Sequence, residues 1–181
     1  MLKEKKKITL KATVMLGLLG IIASGVAYSG EVARNDRSAA QEYRQWSRYS
    51  TGTDVPVNSA AALSSLRKSA DRGYGPAEVT LGDLYTRGHL VSQDYRKAFY
   101  WYERAAEHST AIVDIATADE ALGYFYEHGL GTPRNLVLAH EAYMTAAMAG
   151  FPCLQHVRAV SEKMSAHDLA VAERAERRVR E

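Results

Sequence analysis

The side chains able to do chemistry in this sequence are few and scattered. Six histidines (His89, His108, His128, His140, His156 and His167) and one cysteine, Cys153, are the candidate bases, ligands and nucleophile. Metal and general-base sites need such groups at spacings that bring them to one face, as in His-Glu-x-x-His. No pair of these histidines shows that spacing or another recognised one, so they read as surface or turn residues. Cys153 follows Pro152 in an apolar stretch with no neighbouring base to activate it, which reads as a buried, inert thiol. A single cysteine excludes an internal disulfide framework and argues against cysteine-based structural zinc. No catalytic residue, cofactor or metal is therefore expected, and the chain reads as a non-enzyme.

The aromatic residues carry more. Tyr85, Tyr102, Tyr126 and Tyr143 recur at equivalent places and read as core. Tyr100 and Tyr124 are aromatic where their counterparts, Glu141 and Asp83, are acids, which marks wet positions. An exposed tyrosine can anchor a partner at low entropic cost. Two readings stand for Tyr100, Trp101 and Tyr124: a recognition surface, or packing beneath an inserted loop. The segment Ala111-Ile112-Val113-Asp114-Ile115-Ala116 is apolar for a loop. It extends the helix expected near Thr117, packs back, or presents Ile112 and Ile115 to a partner. The run Glu173 to Arg178 mixes both signs, as a solvated helix does.

These residues must be positioned by a repeat. Leu81, Gly82, Tyr85 and Gly88 return as Leu122, Gly123, Tyr126 and Gly129, an offset of 41. Ala98, Tyr102, Ala105 and Ala106 return as Ala139, Tyr143, Ala146 and Ala147 in the same register. An earlier half-copy (Ala62, Ala70, Gly73, Ala77) leads the next at an offset of 36, so about five residues are inserted between Ser109 and Thr117. Repetition at this period is the mark of a solenoid. Each unit reads as two helices. Pro76 to Arg87 ends at Gly88, a residue suited to the left-handed position, and Asp94 caps a helix that reaches Ala106. Ala118 to His128 ends at Gly129, and Asn135 caps the helix that reaches Ala149. Gly82 and Gly123 inside helices cost about 1 kcal/mol each against alanine, which predicts a close approach by another helix there.

Leu81 through Ala106 resembles the Sel-one-like repeat (SLR), a relative of the tetratricopeptide repeat. The family pattern is Leu-Gly-x-x-Tyr-x-x-Gly, a Gly-Val-type turn, then Asp-Tyr-x-Lys-Ala-x-x-Trp-Tyr-x-x-Ala-Ala. Asp94, Tyr95, Lys97, Ala98, Trp101 and Tyr102 all match. His89-Leu90-Val91 lacks the second turn glycine, Ala142 stands for Trp101 in the next unit, and Ser109 replaces a glycine before the following helix. The resemblance covers about residues 59–154. It implies an all-α, short right-handed solenoid of antiparallel helix pairs that acts as a protein-binding adaptor.

The ends complete the expected organisation. Residues 1–27 read as a signal peptide or single membrane anchor, 28–57 as a cap helix and linker, 58–164 as a half repeat plus two full ones, and 165–181 as a capping helix. Five lysines against Glu4 give residues 1–27 a net of +4, leaving −2 for the rest of a 181-residue chain whose formal charge is +2. A basic start, the apolar Val14 to Ile22 and the small residues Gly25-Val26-Ala27 make a secretory layout with cleavage after Ala27. The uncharged stretch 12–30 is 19 residues, near the ~20 that span a bilayer, so an uncleaved anchor stands beside it. Either places the body in the periplasm. A nearly neutral body argues against nucleic acid as a partner. Ala39, Tyr43, Trp46 and Tyr49 make a cover within 38–50, and Ser165 with Asp168 forms a capping box. The expectation is an envelope adaptor whose partner is another protein. The alternative is a binder of cell-wall glycan or peptide, or a regulator of a wall-active enzyme. Hydrolysis is a third reading for which no nucleophile–base pair is visible.

Overall fold

Asparagine or aspartate starts three of the described helices, and a left-handed glycine cap stops two. In a computed structural model describing residues 28–180, with side chains described over 37–174, eight helices follow one another. They are α1 (Tyr28–Thr51), α2 (Ser59–Asp71), α3 (Gly75–Arg87), α4 (Tyr95–His108), α5 (Ile112–His128), α6 (Leu136–Met148), α7 (Leu154–Ser161) and α8 (Ala166–Arg180). No strand occurs among the described residues. Asn58 accepts the Ala61 N–H at 3.0 Å, and Asp94 accepts the Lys97 N–H at 3.0 Å. Asn135 accepts from Val137 and Leu138 at 3.1 Å each. Each such cap satisfies a helical N–H that has no partner within its own helix. Gly88 and Gly129 end α3 and α5 in the left-handed region, both at φ +69°. Ser165 Oγ accepts the Asp168 N–H at 3.1 Å and opens α8.

The helices stack as successive hairpins, α1 with α2, α3 with α4 and α5 with α6, each packed on the next. Alanines at the hairpin contacts (Ala62, Ala70, Ala98, Ala105, Ala139, Ala146) are fully buried, which lets the backbones approach. Leu66, Leu81, Leu122 and Phe125 fill the space between. Phe125 is central. It meets the rings of Tyr95, Phe99 and Tyr102 at 6.0, 6.4 and 5.6 Å. Residues 1–27, expected to be a signal or anchor, lie outside the described residues. Among those described, no helix is long and apolar enough to cross a membrane.

Several local expectations change. The helix expected over 38–50 begins at Tyr28 and forms a hairpin with α2, so it is an arm of the first pair as well as a cover. Tyr43 carries both roles, meeting Trp46 at 5.0 Å and Tyr74 at 5.4 Å. Gly82 and Gly123 are required not by a helix backbone but by a ring. A Cβ would fall 2.6 Å from Tyr102 Cε1 at Gly82, and 2.7 Å from Tyr143 Cδ1 at Gly123. The inserted residues do not form a loop. They add a turn to the start of α5, which begins at Ile112 rather than near Ala118. Ser109 fits because its backbone is extended there (φ −64°, ψ 142°), whereas Gly73 and Gly150, which end the α2 and α6 arms, are left-handed. Leu90, standing where the next unit has Gly131, is itself left-handed at φ +62°. The short helix α7, unforeseen from the sequence, packs on α6.

Candidate functional site

Between α3, α5 and α6 the stacked hairpins leave an open groove of about 330 Å³. Its lining includes Asp83 from α3, Tyr102 from α4, Glu120 and Tyr124 from α5, Tyr143 from α6 and His156 from α7. The repeat itself furnishes the lining, because Tyr102 and Tyr143 are equivalent positions. Tyr102 donates its hydroxyl proton to Asp83 Oδ1 at 2.7 Å, and Tyr143 donates to Glu127 Oε2 at 3.1 Å. Burial raises both phenols well above their ordinary range, and the adjacent carboxylates raise them further, so both stay protonated donors. Glu127 also receives Lys163 Nζ at 2.7 Å. Burial favours its neutral form, but the bonds from Lys163 and Tyr143 outweigh that and hold it below the usual carboxylate value.

Tyr124 stands at this groove and is 48% exposed, in keeping with the wet position inferred for it. Its ring lies 4.1 Å from the His128 ring, one turn along the same helix. Cys153 is fully buried. Burial pushes its thiol up to about 11, and the charge and hydrogen bond of Glu120 push the same way. At neutral pH it is a protonated thiol rather than a nucleophile.

Tyr100 and Trp101 belong to a separate cluster on α4. Tyr100 is 50% exposed, and its ring meets Trp101 edge-on at 5.1 Å. Trp101 is half-buried against the core. The Arg104 guanidinium lies 5.9 Å from the Tyr100 ring and 5.3 Å from that of Trp101. Arg104 is itself held by Glu78 Oε1 at 2.8 Å and the Ala70 carbonyl at 3.3 Å. Glu78 is fully buried, and burial raises its pKa against the opposing pull of Arg104. Ile112 is 58% exposed on the inserted turn, while Ile115 is half-buried. That turn is stitched by a 3.0 Å bond from Ser109 Oγ to Asp114. The five residues singled out from the sequence thus fall in three places: Tyr124 at the groove, Tyr100 and Trp101 beside Arg104, and Ile112 with Ile115 on the inserted turn.

Sequence reasoning passed over Glu78, Arg104 and Glu120. A signal for the first was present, since Glu78 and Asp119 are both acids, both buried, and 41 residues apart. Nothing local marks Arg104 or Glu120, because their partners come from other helices.

Comparison with known proteins agrees with this architecture. The Sel1 repeat pattern matches residues 47–74, 76–109 and 116–151. A Sel1 repeat protein of known crystal structure from Oxalobacter formigenes superposes with a TM-score of 0.62 at 29% identity, covering 74% of this chain and 98% of that one. Chitin synthase regulatory factor 3 of Schizosaccharomyces pombe is 26% identical over 78% of this chain and 18% of its own length. A putative ERAD-associated E3 ubiquitin-protein ligase component of the same yeast is 28% identical over 65% of this chain and 16% of its own length. The chain therefore spans less than a fifth of either yeast protein. Sel1 repeats generally serve as protein-interaction scaffolds. With the repeat pattern matched across three successive helix pairs, the chain belongs to the Sel1 repeat family.

Proposed function

We propose that the chain is a non-enzymatic adaptor of a bacterial cell envelope, exported through residues 1–27, that holds a protein partner in the groove beside Tyr124. The observation that carries this reading is the groove itself. A half-exposed tyrosine stands over a concave surface that has two carboxylates, Asp83 and Glu120, in its lining. Such a surface suits a segment bearing lysine or arginine beside an apolar residue, because the ring supplies contact area and the carboxylates supply charge. The Sel1 repeat family supports binding over chemistry. The basic, apolar and small-residue order of residues 1–27 supports export.

The test is capture of the tagged full chain from detergent-solubilised envelopes, read by mass spectrometry and repeated with Tyr124→Ala and Tyr100→Ala. A stoichiometric envelope partner should appear and weaken about 30-fold with Tyr124→Ala, the size of a ~2 kcal/mol hot spot. Partner binding unchanged by Tyr124→Ala would overturn the groove reading, and weakening by Tyr100→Ala alone would move the binding surface to the α4 cluster beside Arg104. Wall fragments captured in place of a protein would favour the glycan-binding alternative. A bait N-terminus at Tyr28 would mean cleavage, and peptides from before Ala27 would mean a retained anchor.

A further inference from the structure

Beneath the groove, three side chains of different chemistry converge. Glu120 comes from α5, Cys153 immediately precedes α7, and His156 lies in the first turn of α7. One ligand atom from each (a carboxylate oxygen, a sulfur and an imidazole nitrogen) lies within 4.8 Å of the other two. Cys153 and His156 are three residues apart at the start of a helix, a separation that puts two side chains on one face. Glu120 reaches them from a different hairpin, so the trio exists only in the folded chain.

We propose that Glu120, Cys153 and His156 bind a divalent zinc-like cation. The donor set is that of a borderline-soft metal, which takes thiolate, imidazole and carboxylate together in a tetrahedral arrangement. Charge also fits. One thiolate and one carboxylate neutralise a dication, which matters in a site whose sulfur is fully buried. Metal binding displaces the Cys153 thiol proton to solvent and forms the metal–sulfur bond in its place, a proton release that makes the affinity rise with pH. Ligand atoms bound at ~2.0–2.3 Å around a tetrahedral centre lie roughly 3.3–3.8 Å apart, so atoms within 4.8 Å of one another need to close by at most about 1.5 Å.

A second observation points the same way. Nδ1 of His156 is buried and makes no hydrogen bond. In a neutral imidazole that leaves either a proton or a lone pair unsatisfied, an arrangement native structures rarely tolerate without a partner. The ring is held in place by stacking on Tyr143, with centroids 5.0 Å apart and planes 28° apart. Tyr143 is one of the two repeated groove tyrosines, so the repeat orients this ligand. Glu120 and His156 both line the groove, which leaves the fourth coordination position open to water from that side.

The test is titration of the metal-free full chain, purified in detergent, with cobalt(II) as a spectroscopic stand-in for zinc. One equivalent should give a thiolate-to-cobalt charge-transfer band together with visible ligand-field bands, and zinc should bleach both. Surface histidines binding cobalt would give no thiolate band. Glu120→Gln and His156→Gln should each weaken cobalt at least tenfold, and Cys153→Ser should abolish the charge-transfer band. Because Cys153 is buried and its variant can fail to fold, the Glu120 and His156 variants carry the decision, with circular dichroism confirming their helices. Zinc should also raise the unfolding midpoint of the wild type and leave that of His156→Gln unchanged. The proposal is overturned if the wild type shows no thiolate band at stoichiometric cobalt. Unchanged affinity in both the Glu120→Gln and His156→Gln variants would overturn it equally.

Discussion

Replacing Gly82 by alanine tests the central packing claim, because two effects of opposite sign meet at one atom. In a bare helix the change would stabilise by about 1 kcal/mol, since glycine is that much the poorer helix former. Here the new Cβ would stand 2.6 Å from Tyr102 Cε1 and 2.8 Å from two further ring atoms. Carbon atoms rest at ~3.5–4.0 Å, so the ring must withdraw by about 1 Å. It has little freedom to do so. Tyr102 is 2% exposed, its hydroxyl is bound to Asp83 at 2.7 Å, and its ring edges Phe125 at 5.6 Å. Overpacking a core in this way costs ~1–3 kcal/mol, and losing the hydroxyl bond adds ~1 kcal/mol. Set against the propensity gain, the expected net is a loss of about 2 kcal/mol. Urea unfolding followed by circular dichroism should show it, and the thermal midpoint should fall by roughly 4–8 °C for a chain of this size. The decisive comparison is the same change in a Tyr102→Leu background. There the obstructing ring is gone, and Gly82→Ala should turn stabilising by up to ~1 kcal/mol. If Gly82→Ala stabilises the wild type, or if the two substitutions add to within ~0.5 kcal/mol, the ring-over-glycine account is refuted.

Gly131→Ala should destabilise by ~2–4 kcal/mol in the same denaturation assay. Its φ of +67° penalises a side chain, and a Cβ would collide with the Tyr95 carbonyl oxygen, which cannot rotate away. Leu90→Gly, at the equivalent turn, should change stability by less than ~1 kcal/mol, because relief of left-handed strain is offset by a freer unfolded chain. Arg104→Ala should cost about 3 kcal/mol at neutral pH, because it strips the counter-ion from fully buried Glu78. The pH sign follows from the raised Glu78 pKa. Below its unfolded pKa of about 4.5 the carboxyl is neutral in both states, and the cost of burying a charge appears as pH rises through the folded value. The Arg104→Ala penalty should therefore shrink as unfolding is measured at progressively lower pH. A penalty independent of pH would show that Arg104 acts through packing on Tyr100 and Trp101 instead.

What the sequence determined here is what local chemistry determines. Helix starts at Asp94 and Asn135, stops at Gly88 and Gly129, and the offset of 41 are all properties of short stretches, and each stands in the structure where it was read. The wetness of Tyr100 and Tyr124 was legible too, because the sister unit placed acids there. The inserted residues were ambiguous, since an apolar hexapeptide suits a helix turn and a packed loop alike. Only stacking decided that they lengthen α5. Stacking also decided that a tyrosine ring lies on Gly82 and on Gly123, and that Arg104 of α4 neutralises Glu78 of α3. Glu120 reaches Cys153 and His156 in the same way. The meeting of Cys153 and His156 with Glu120 was not legible because Glu120 is far away in sequence. The physical reason is common to all of these. Caps and periodicity are fixed by bonds within one or two turns, whereas side chains from different hairpins meet at distances set by the superhelical packing of the whole stack.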